Sequence, residues 1–335
     1  MQISHISYYL PEKTITNEDL AREYEPDWNS KKIYRKTGIQ NRHVATTETT
    51  SQLAAQAAEK LFSESGFAKE KIDFLLLCTQ SPDYFLPTTA CIVQDLIGLP
   101  TTCGALDFNL GCSGFVYGLA LAKGLIRGGM VNNILLLTVE TYTKHIHPKD
   151  KSVRTIFGDG AAATLITHKD GEPCKIGDFV FGTDGKGAKN LIVPAGGMAL
   201  PRSEETAKET VDEQGNMRSL NNLYMNGPAI FNFTLDAVPG TVKSLLEKAG
   251  MEIKDIDLYV FHQANKFMLE SLRDKIGIPE EKFYINMIDK GNTVSATIPI
   301  ALRDAYDEGR IKRGDKLMLV GFGVGYSWAS CIVEW

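Results

Sequence analysis

A cysteine between glycines is the first feature of this sequence that suggests chemistry. Cys112 lies in DFNLGCSGFVYGLALAKGLI, directly before a run that reads as a buried helix. The unpaired N–H groups at a helix start stabilise negative charge, so this position favours the thiolate that a nucleophile needs. Gly111 and Gly114 would let an acyl group approach closely. Because buried cysteine is usually a small apolar core residue, Cys112 alone does not establish a catalytic site.

Two polar residues in the second half of the chain occupy similar positions. His262 ends the apolar segment DLYVFH, and Asn292 follows a glycine in KGNTVSATIP. Taken separately, the histidine suits a structural hydrogen bond and the asparagine suits a turn. In open α/β sheets, ligand chemistry gathers at the carboxyl ends of strands and at helix N-termini. Because Cys112, His262 and Asn292 all fall at such ends, we predict that they form one catalytic site.

Four apolar segments predict the strands that position these residues. They lie at residues 71–80, 133–141, 257–265 and 315–323, and they alternate with helical patterns. Each is apolar on both faces, which is typical of sheets covered by helices on each side. The sequence therefore predicts an α/β layered fold.

An internal repeat predicts that the fold is duplicated. SGFAKEKIDFLLLC at 65–78 matches AGMEIKDIDLYVFH at 249–262, and the helix from Cys112 with its following strand matches the helix from about Ser295 with its own. We therefore predict two halves, 1–170 with Cys112 and 171–335 with His262 and Asn292. A polar segment without clear periodicity, 194–222, predicts a surface insertion that either caps the site or decorates it.

Composition and charge exclude several classes of protein. The 335 residues are 43% hydrophobic and 23% charged, as in ordinary globular chains, and the net charge of -5 without a long basic block disfavours nucleic-acid binding. The N-terminus lacks a signal-peptide pattern and no apolar run is long enough to span a membrane, so we expect a cytoplasmic protein. Six cysteines without CxxC spacing indicate reduced thiols rather than disulfides or a zinc site.

Five motifs in order resemble those of the β-ketoacyl-[acyl-carrier-protein] synthase III family. They are DFNLGCSGF, FGDGAA, HQAN, GNTVSATIP and GFGVGYSW, and the resemblance covers essentially the whole chain. It implies a thiolase-like α/β fold, in which duplicated αβαβα halves form a five-layered sandwich, and it implies a homodimer. It also implies a catalytic Cys-His-Asn triad at Cys112, His262 and Asn292.

The implied reaction suits these residue types. An acyl group moves from acyl-coenzyme A to Cys112, while the backbone N–H groups of Cys112 and Val324 form an oxyanion hole. A malonyl thioester on acyl carrier protein then loses CO2, and the enolate accepts hydrogen bonds from a neutral His262 imidazole and the Asn292 amide. The resulting carbanion attacks the acyl group on Cys112. Neither a metal nor a cofactor is expected.

The chain departs from the family pattern at the predicted substrate contacts. The position of the tryptophan that stacks on the adenine of coenzyme A is Lys32, and Trp28 lies four residues earlier. Lys32, Lys36 and Lys151 are therefore predicted to contact the coenzyme A phosphates. Phe322, in the GFGVG segment, is predicted to line the substrate site.

Two further departures concern the carrier protein and the acyl chain. The arginine used for carrier-protein docking is replaced by Phe267, and the adjacent Lys266 is the docking candidate in its place. Leu86, before PTTA, stands where the family often has a phenylalanine that closes the partner's acyl pocket. A leucine there predicts room for a longer acyl chain, although Leu86 packing only in the dimer interface is an open alternative.

The sequence leaves two other functions open. One is a thiolase-fold acyltransferase of a specialised pathway that passes the acyl group from Cys112 to a non-malonyl acceptor. The other is a non-catalytic partner subunit. Retention of all three triad residues favours the condensing enzyme, because acyl transfer alone does not need both His262 and Asn292 as donors.

Overall fold

Helices and strands alternate along the chain, which confirms the predicted α/β class. The computed structural model describes residues 1–26, 28–169 and 171–335. The strands are β1 (Gln2–Tyr9), β2 (Thr14–Thr16), β3 (Asn41–His43), β4 (Phe74–Cys78), β5 (Gly104–Phe108), β6 (Asn133–Glu140), β7 (Gly160–Thr167), β8 (Ile176–Thr183), β9 (Leu191–Ile192), β10 (Thr210–Val211), β11 (Met217–Arg218), β12 (Tyr224–Met225), β13 (Leu258–Phe261), β14 (Phe283–Tyr284), β15 (Lys316–Gly323) and β16 (Ser327–Glu334). The helices are α1 (Asn17–Tyr24), α2 (Ser30–Thr37), α3 (Thr50–Ser65), α4 (Thr89–Leu96), α5 (Gly114–Arg127), α6 (Lys151–Arg154), α7 (Gly227–Ala249), α8 (Lys266–Ile276) and α9 (Thr297–Asp307). All four segments predicted as strands form strands: β4, β6, β13 and β15.

Two five-stranded sheets share one strand order and one pattern of directions. The first has the order β1-β7-β6-β4-β5, with β4 parallel to β5 and β6, and with β7 antiparallel to β6 and β1. The second has the order β8-β16-β15-β13-β14, with β13 parallel to β14 and β15, and with β16 antiparallel to β15 and β8. The repeated segments 65–78 and 249–262 contain β4 and β13, which occupy equivalent positions. A duplicated fold requires this equivalence, whereas the division at residue 170 stays a prediction.

The fold has five layers, because helices cover both faces of each sheet and the two sheets share the helices between them. In β4, Leu76 packs with α5 and α9 in the layer between the sheets, whereas Leu75 and Leu77 pack against α3 and α4 on the outer face. On the outer face of the second sheet, Phe261 of β13 packs in one cluster with α7 and α8. Because side chains alternate between the faces of a strand, strands buried on both sides read as continuous apolar runs.

The central helix α5 packs unusually close to the first sheet. A Cβ added to Gly114 would lie 2.2 Å from Cys78 Sγ, and one added to Gly118 would lie 2.7 Å from a methyl carbon of Leu136. These glycines therefore let the helix backbone approach β4 and β6. This packing fixes where the N-terminus of α5, next to Cys112, lies relative to the strands.

None of the helices in the described ranges is both long and apolar enough to cross a lipid bilayer.

Candidate active site

Cys112, His262 and Asn292 line the same cavity. Its volume is about 790 Å³, and it opens where β13 ends and where the chain enters the two central helices, α5 and α9. The parallel strands of each sheet direct their carboxyl ends toward this region, as expected for ligand sites in α/β folds. The structure thus brings together the three residues that the sequence places in one site.

Cys112 is buried two residues before the first residue of α5. Burial, with a further contribution from the carboxyl of Glu140, raises the pKa of its thiol to about 12. The acidic thiol expected from the sequence is therefore not found, because exclusion of water disfavours the thiolate more than the helix start favours it. At neutral pH the thiol is protonated, so it has to lose a proton as it attacks.

His262 is the first residue after β13 and is held from both its backbone and its ring. Its backbone N–H donates to the carbonyl of Val320 at 2.8 Å, and its Nδ1 lies 2.7 Å from the hydroxyl oxygen of Thr297. The ring packs edge-on against Phe322, with 5.5 Å between ring centroids. Burial lowers the pKa of His262 to about 3, so its imidazole is neutral at physiological pH.

Asn292 is fixed in an orientation that makes its side chain a donor. Its Oδ1 accepts a hydrogen bond from the N–H of Val294 at 2.9 Å, which identifies the other end of the amide as Nδ2. Nδ2 lies 3.4 Å from the carbonyl of Ala264, another residue of the cavity wall. The Asn292 backbone bonds to Ile156 and Gly158, so the first half of the chain anchors this residue of the second.

The last residue of β15, Gly323, lies directly against the cysteine. A Cβ added to Gly323 would lie 2.8 Å from Cys112 Cβ and 2.9 Å from its Sγ. Within the described parts of the chain, the backbone N–H groups of Cys112 and Val324 donate to no other residue. Two unpartnered N–H groups are what an oxyanion hole requires, although Val324 itself is not part of the cavity wall.

Gly111 and Gly114 have a different role from the one expected. A Cβ on Gly111 would lie 2.4 Å from Gln80 Oε1, and a Cβ on Gly114 would meet Cys78. These glycines allow close packing behind the cysteine. The glycine that leaves space beside the sulfur is Gly323.

Two of the three lysines predicted to contact coenzyme A line the cavity, and the third lies beside it. Lys36 and Lys151 line it, together with Trp28, and Lys36 Nζ lies 4.6 Å from the centroid of the Trp28 ring. Lys32 Nζ lies 5.2 Å from the same ring but is not part of the cavity wall. Phe322 is buried and lines the cavity, and its contact with substrate stays a prediction.

The polar segment 194–222 contributes one wall of the cavity. It contains the short strands β10 and β11, and the residues around their turn, Asp212, Gln214, Asn216 and Arg218, face the cavity. The guanidinium of Arg218 forms ion pairs with Asp212 and with the buried Asp150, whose carboxylate is 3.2 Å away. Of the two roles considered for this segment, the structure favours enclosing the site.

Two predicted contact residues lie outside the cavity. Leu86 is 83% exposed, and its neighbours Tyr84 and Phe85 are exposed as well. Lys266 is partly exposed, with its Nζ 3.7 Å from Glu270. Next to Lys266, the exposed Phe267 stacks on Phe231 with 5.4 Å between ring centroids.

Two polar residues next to the triad, Glu140 and Thr297, were not predicted from the sequence. Glu140, the last residue of β6, is fully buried and accepts hydrogen bonds from Gln80 N at 3.0 Å and Ser295 Oγ at 2.9 Å, while burial raises its pKa to about 8. Thr297 contacts His262. Glu140 could have been predicted as a site residue, because a carboxyl group at the end of an apolar strand is unusual. Thr297 could not, because a threonine at a helix start is common.

Comparisons with known proteins show which family this chain matches. Residues 106–185 match the family described as 3-Oxoacyl-[acyl-carrier-protein (ACP)] synthase III, and residues 246–335 match its C-terminal family. The chain is 37% identical to a β-ketoacyl-[acyl-carrier-protein] synthase III of Caldanaerobacter subterraneus subsp. tengcongensis, over 98% of this chain and 95% of that one.

Solved structures extend the similarity to three dimensions. A 2.1 Å crystal structure of a 3-oxoacyl-(acyl-carrier-protein) synthase III shares 52% identity, covers 100% of this chain and 99% of its own, and superposes with a TM-score of 0.98. A 3-oxoacyl-(acyl-carrier protein) synthase from Burkholderia xenovorans LB400 shares 36% identity, with coverages of 99% and 93% and a TM-score of 0.90.

The fold and the comparisons together define a thiolase-fold condensing enzyme, which is an acyltransferase. More narrowly, the chain belongs to the β-ketoacyl-[acyl-carrier-protein] synthase III family.

Replacement of Gly323 tests the contact beside the sulfur. Gly323→Ala places a methyl group inside the contact distance of Cys112, so we expect it to lower stability by about 1–3 kcal/mol and to slow alkylation of Cys112 by iodoacetamide. Unfolding curves and peptide mass spectrometry measure the two effects. Gly240→Ala in α7 is the matched control, because a Cβ there meets nothing within 4 Å. If Gly323→Ala kept the stability and the alkylation rate of the wild type, the end of β15 would have to move away from Cys112 at little cost in free energy.

Proposed function

We propose that this enzyme transfers an acyl group from a coenzyme A thioester to Cys112 and condenses it with a malonyl thioester carried by acyl carrier protein. The observation that carries the proposal is the meeting of a cysteine, an uncharged histidine and an oriented asparagine amide in one enclosed cavity. The names of its relatives supply the carrier protein.

In the first half-reaction, the Cys112 sulfur attacks the carbonyl carbon of the acyl thioester. The carbonyl oxygen becomes an oxyanion, and the N–H groups of Cys112 and Val324 are the donors proposed to stabilise it. Collapse of the intermediate breaks the bond to coenzyme A and leaves the acyl group on Cys112. Low exposure around Cys112 limits hydrolysis of this thioester by water.

In the second half-reaction, the malonyl thioester loses CO2 and leaves an enolate. An N–H of His262 and the Nδ2–H of Asn292 are the proposed donors to the enolate oxygen. The enolate carbon then attacks the acyl carbonyl on Cys112, which forms the new carbon–carbon bond and releases the cysteine sulfur. An acyltransferase without decarboxylation would not need this pair, so the non-malonyl alternative has no support from the site.

Recognition of coenzyme A is proposed to involve aromatic and cationic groups at the cavity. Trp28 offers a ring face for stacking on a base, and Lys36 and Lys151 lie on the same cavity wall to meet phosphates. Lys32, close to the Trp28 ring, would contribute charge from outside the wall. The tryptophan four residues before Lys32 thus offers the aromatic surface that Lys32 itself lacks.

The carrier protein and a second copy of the chain are proposed to bind different surfaces of the enzyme. Lys266, at the start of α8 beside the cavity residue Asn265, is proposed to meet the acidic carrier protein. A second copy of the chain is proposed to cover the exposed apolar residues Tyr84, Phe85 and Leu86, together with Leu106 on the edge strand β5. An uncovered apolar patch next to an unpaired sheet edge is a typical association surface.

A reconstituted condensation assay tests the proposed function. Purified enzyme, acyl-coenzyme A and malonyl-acyl carrier protein should give a 3-oxoacyl-acyl carrier protein, detected by mass spectrometry of the carrier. Cys112→Ser should fold normally but form no product, because a serine hydroxyl is a poor nucleophile without a base matched to it. Product formation by Cys112→Ser at the wild-type rate would rule out Cys112 as the nucleophile.

Asn292→Asp separates the two half-reactions. Aspartate keeps an oxygen that accepts the Val294 N–H but replaces the donor by a second oxygen, so malonyl decarboxylation should fall by about 100-fold or more while acylation of Cys112 persists. Release of labelled CO2 and the mass of the acyl-enzyme report the two steps. Asn132→Asp, at an exposed position outside the cavity, is the control. Equal loss of both steps would mean that Asn292 does not act on the enolate.

Leu86 predicts the length of the acyl primer. If Leu86 closes the acyl pocket of the second subunit, a leucine leaves space for extra methylenes, each contributing about 0.8 kcal/mol when buried. Primers of roughly six to ten carbons should then acylate Cys112 at least as well as acetyl. Leu86→Phe should restore the preference for acetyl, and Leu220→Phe, at another exposed leucine, should not.

A competition among acetyl-, hexanoyl- and decanoyl-coenzyme A, read by the mass of the acyl-enzyme, measures this preference. Clear selection of acetyl by the wild type, unchanged in Leu86→Phe, would leave Leu86 as interface packing alone.

A further inference from the structure

A buried arginine outside the active-site cavity forms no ion pair with any carboxylate of the described residues. Arg42, in β3, is 1% exposed. Its Nη1 donates to the carbonyl of Ile15 at 3.2 Å, and its Nη2 donates to Asn17 Oδ1 at 2.7 Å and to the carbonyl of Thr155 at 3.3 Å. Its Nε is buried and has no partner in the described parts of the chain. Because arginine is almost never fully buried unless its charge is paired, this is a position that a bound anion would stabilise.

Arg42 lines a second cavity, which we call the basic cavity. Its volume is about 230 Å³. Its wall contains three further cationic side chains, those of Lys13, Lys144 and Arg154, and no carboxylate from the described residues. Apolar side chains complete the wall, and they include Ile15, Val44, Ile146 and Phe157. The basic cavity therefore combines positive charge with apolar surface.

The partners of these cationic groups neutralise only part of the charge. Arg154 is paired with Glu23, with 3.0 Å between Nη2 and Oε1. Lys144 Nζ donates to a main-chain carbonyl, that of Glu48. Lys13 is exposed, and its Nζ has neither an ion pair nor a hydrogen bond within the described ranges. Arg42, Lys13 and Lys144 are thus without an ion-pair partner among the described carboxylates.

A buried carboxyl contacts residues of this wall, but its oxygens are already occupied. Asp159 Oδ2 accepts hydrogen bonds from the N–H of Ala45 at 2.8 Å and from the Thr143 hydroxyl, and its Oδ1 accepts the N–H of Thr143 at 2.9 Å. Burial raises the pKa of Asp159 to about 6, so the group is ionised at neutral pH. Its single charge is smaller than the charge of the three unpaired cationic groups, so the wall keeps a surplus of positive charge.

We propose that the basic cavity binds a phosphate group, either as the free ion or as part of a small phosphate monoester. Guanidinium and ammonium groups are the side chains with which proteins bind phosphate, and Arg42, Lys13 and Lys144 are the proposed contacts. The apolar side chains of the wall would cover the organic part of a monoester. A phosphate here would also neutralise the charge buried at Arg42.

The basic cavity adjoins the active-site cavity, so a test has to distinguish the two. Phe157 lines both cavities, and α6 contributes Lys151 to the first and Arg154 to the second. Lys36 and Lys151, which are proposed to meet the phosphates of coenzyme A, are therefore the competing site for a phosphate probe.

Isothermal titration calorimetry of the full chain tests the proposal with two probes, inorganic phosphate and phenyl phosphate, at an ionic strength held constant with sodium chloride. At least one probe should bind the wild type with a Kd of about 1 mM or below. Lys13→Gln/Lys144→Gln changes two exposed lysines and should weaken this binding by about tenfold or more, because it removes two charged donors. Lys186→Gln/Lys312→Gln is the matched control, since it removes the same charge at exposed positions outside both cavities and should bind as the wild type does.

A third variant assigns the binding to one cavity. Lys36→Gln/Lys151→Gln should keep the phosphate site that Lys13→Gln/Lys144→Gln loses. The proposal would be overturned by no binding of either probe at about 10 mM, by equal weakening in the control, or by a loss confined to Lys36→Gln/Lys151→Gln. With the site present, tighter binding of phenyl phosphate would identify a monoester as the ligand, and tighter binding of inorganic phosphate would identify the free ion.

Thermal unfolding gives a second test, which addresses Arg42 itself. A ligand that binds only the folded state raises Tm, so phosphate should raise the Tm of the wild type but not that of Arg42→Met, which lacks the buried charge. If Arg42→Met does not fold, Lys13→Gln/Lys144→Gln takes its place in the comparison. A rise in Tm as large as that of the wild type in the variant tested would overturn the proposal. Neither measurement uses the condensation reaction, so the outcome is independent of the proposed function.

Discussion

The contact between the end of β15 and the backbone at Cys112 and Ser113 is the constraint on which the site depends. Gly321 lies so close that an added Cβ would be 2.7 Å from Ser113 Cα, and Gly323 presses on Cys112 in the same way. The hydroxyls of Ser113 and Ser327 lie 2.6 Å apart across the same junction. Cys112 and Ser113 follow β5 of the first sheet, whereas Gly321, Gly323 and Ser327 belong to the second sheet, so both halves of the fold set the position of the nucleophile.

Other contacts across this junction hold the rest of the site. The buried carboxyl of Glu140 receives hydrogen bonds from Gln80, on one side, and from Ser295, between Asn292 and α9, on the other. The Asn292 backbone pairs with the segment after α6. These hydrogen bonds restrain the predicted donors and the nucleophile relative to one another, and such restraint favours electrostatic catalysis.

Burial that secures this geometry also changes the chemistry. It raises the pKa of Cys112 to about 12 and lowers that of His262 to about 3, so the resting site holds a thiol and a neutral imidazole. The helix start adjacent to Cys112 is thus not sufficient to ionise it. Proton transfer has to accompany acyl transfer.

Much of the fold was accessible from the sequence because both periodicity and duplication are local signals. The apolar runs of β4 and β13 predict buried strands, and their matching segments predict equivalent places in two sheets. Cys112, His262 and Asn292 were accessible because each follows a recognisable strand or turn. Their meeting in one cavity depends on contacts between segments that are distant in the sequence. The internal repeat was the main sequence feature that predicted these contacts.

Other features could not be read from the sequence. The acidity of Cys112 depends on how much water the folded site excludes, which no neighbouring residue encodes. The orientation of the Asn292 amide depends on the Val294 N–H, at a residue with a left-handed φ that valine disfavours. The polar segment 194–222 gave no periodic signal, so its place in the cavity wall follows only from tertiary structure.

The central claim is that one cavity performs both half-reactions through a covalent intermediate on Cys112. Intact-mass spectrometry of the wild-type enzyme tests it most directly, first with acyl-coenzyme A alone and then after addition of malonyl-acyl carrier protein. The account predicts a mass increase of one acyl group, located on Cys112 by peptide mapping, which disappears when the malonyl donor is added as the carrier gains the 3-oxoacyl group. An enzyme that forms no adduct, or an adduct that the malonyl donor does not discharge, would contradict it.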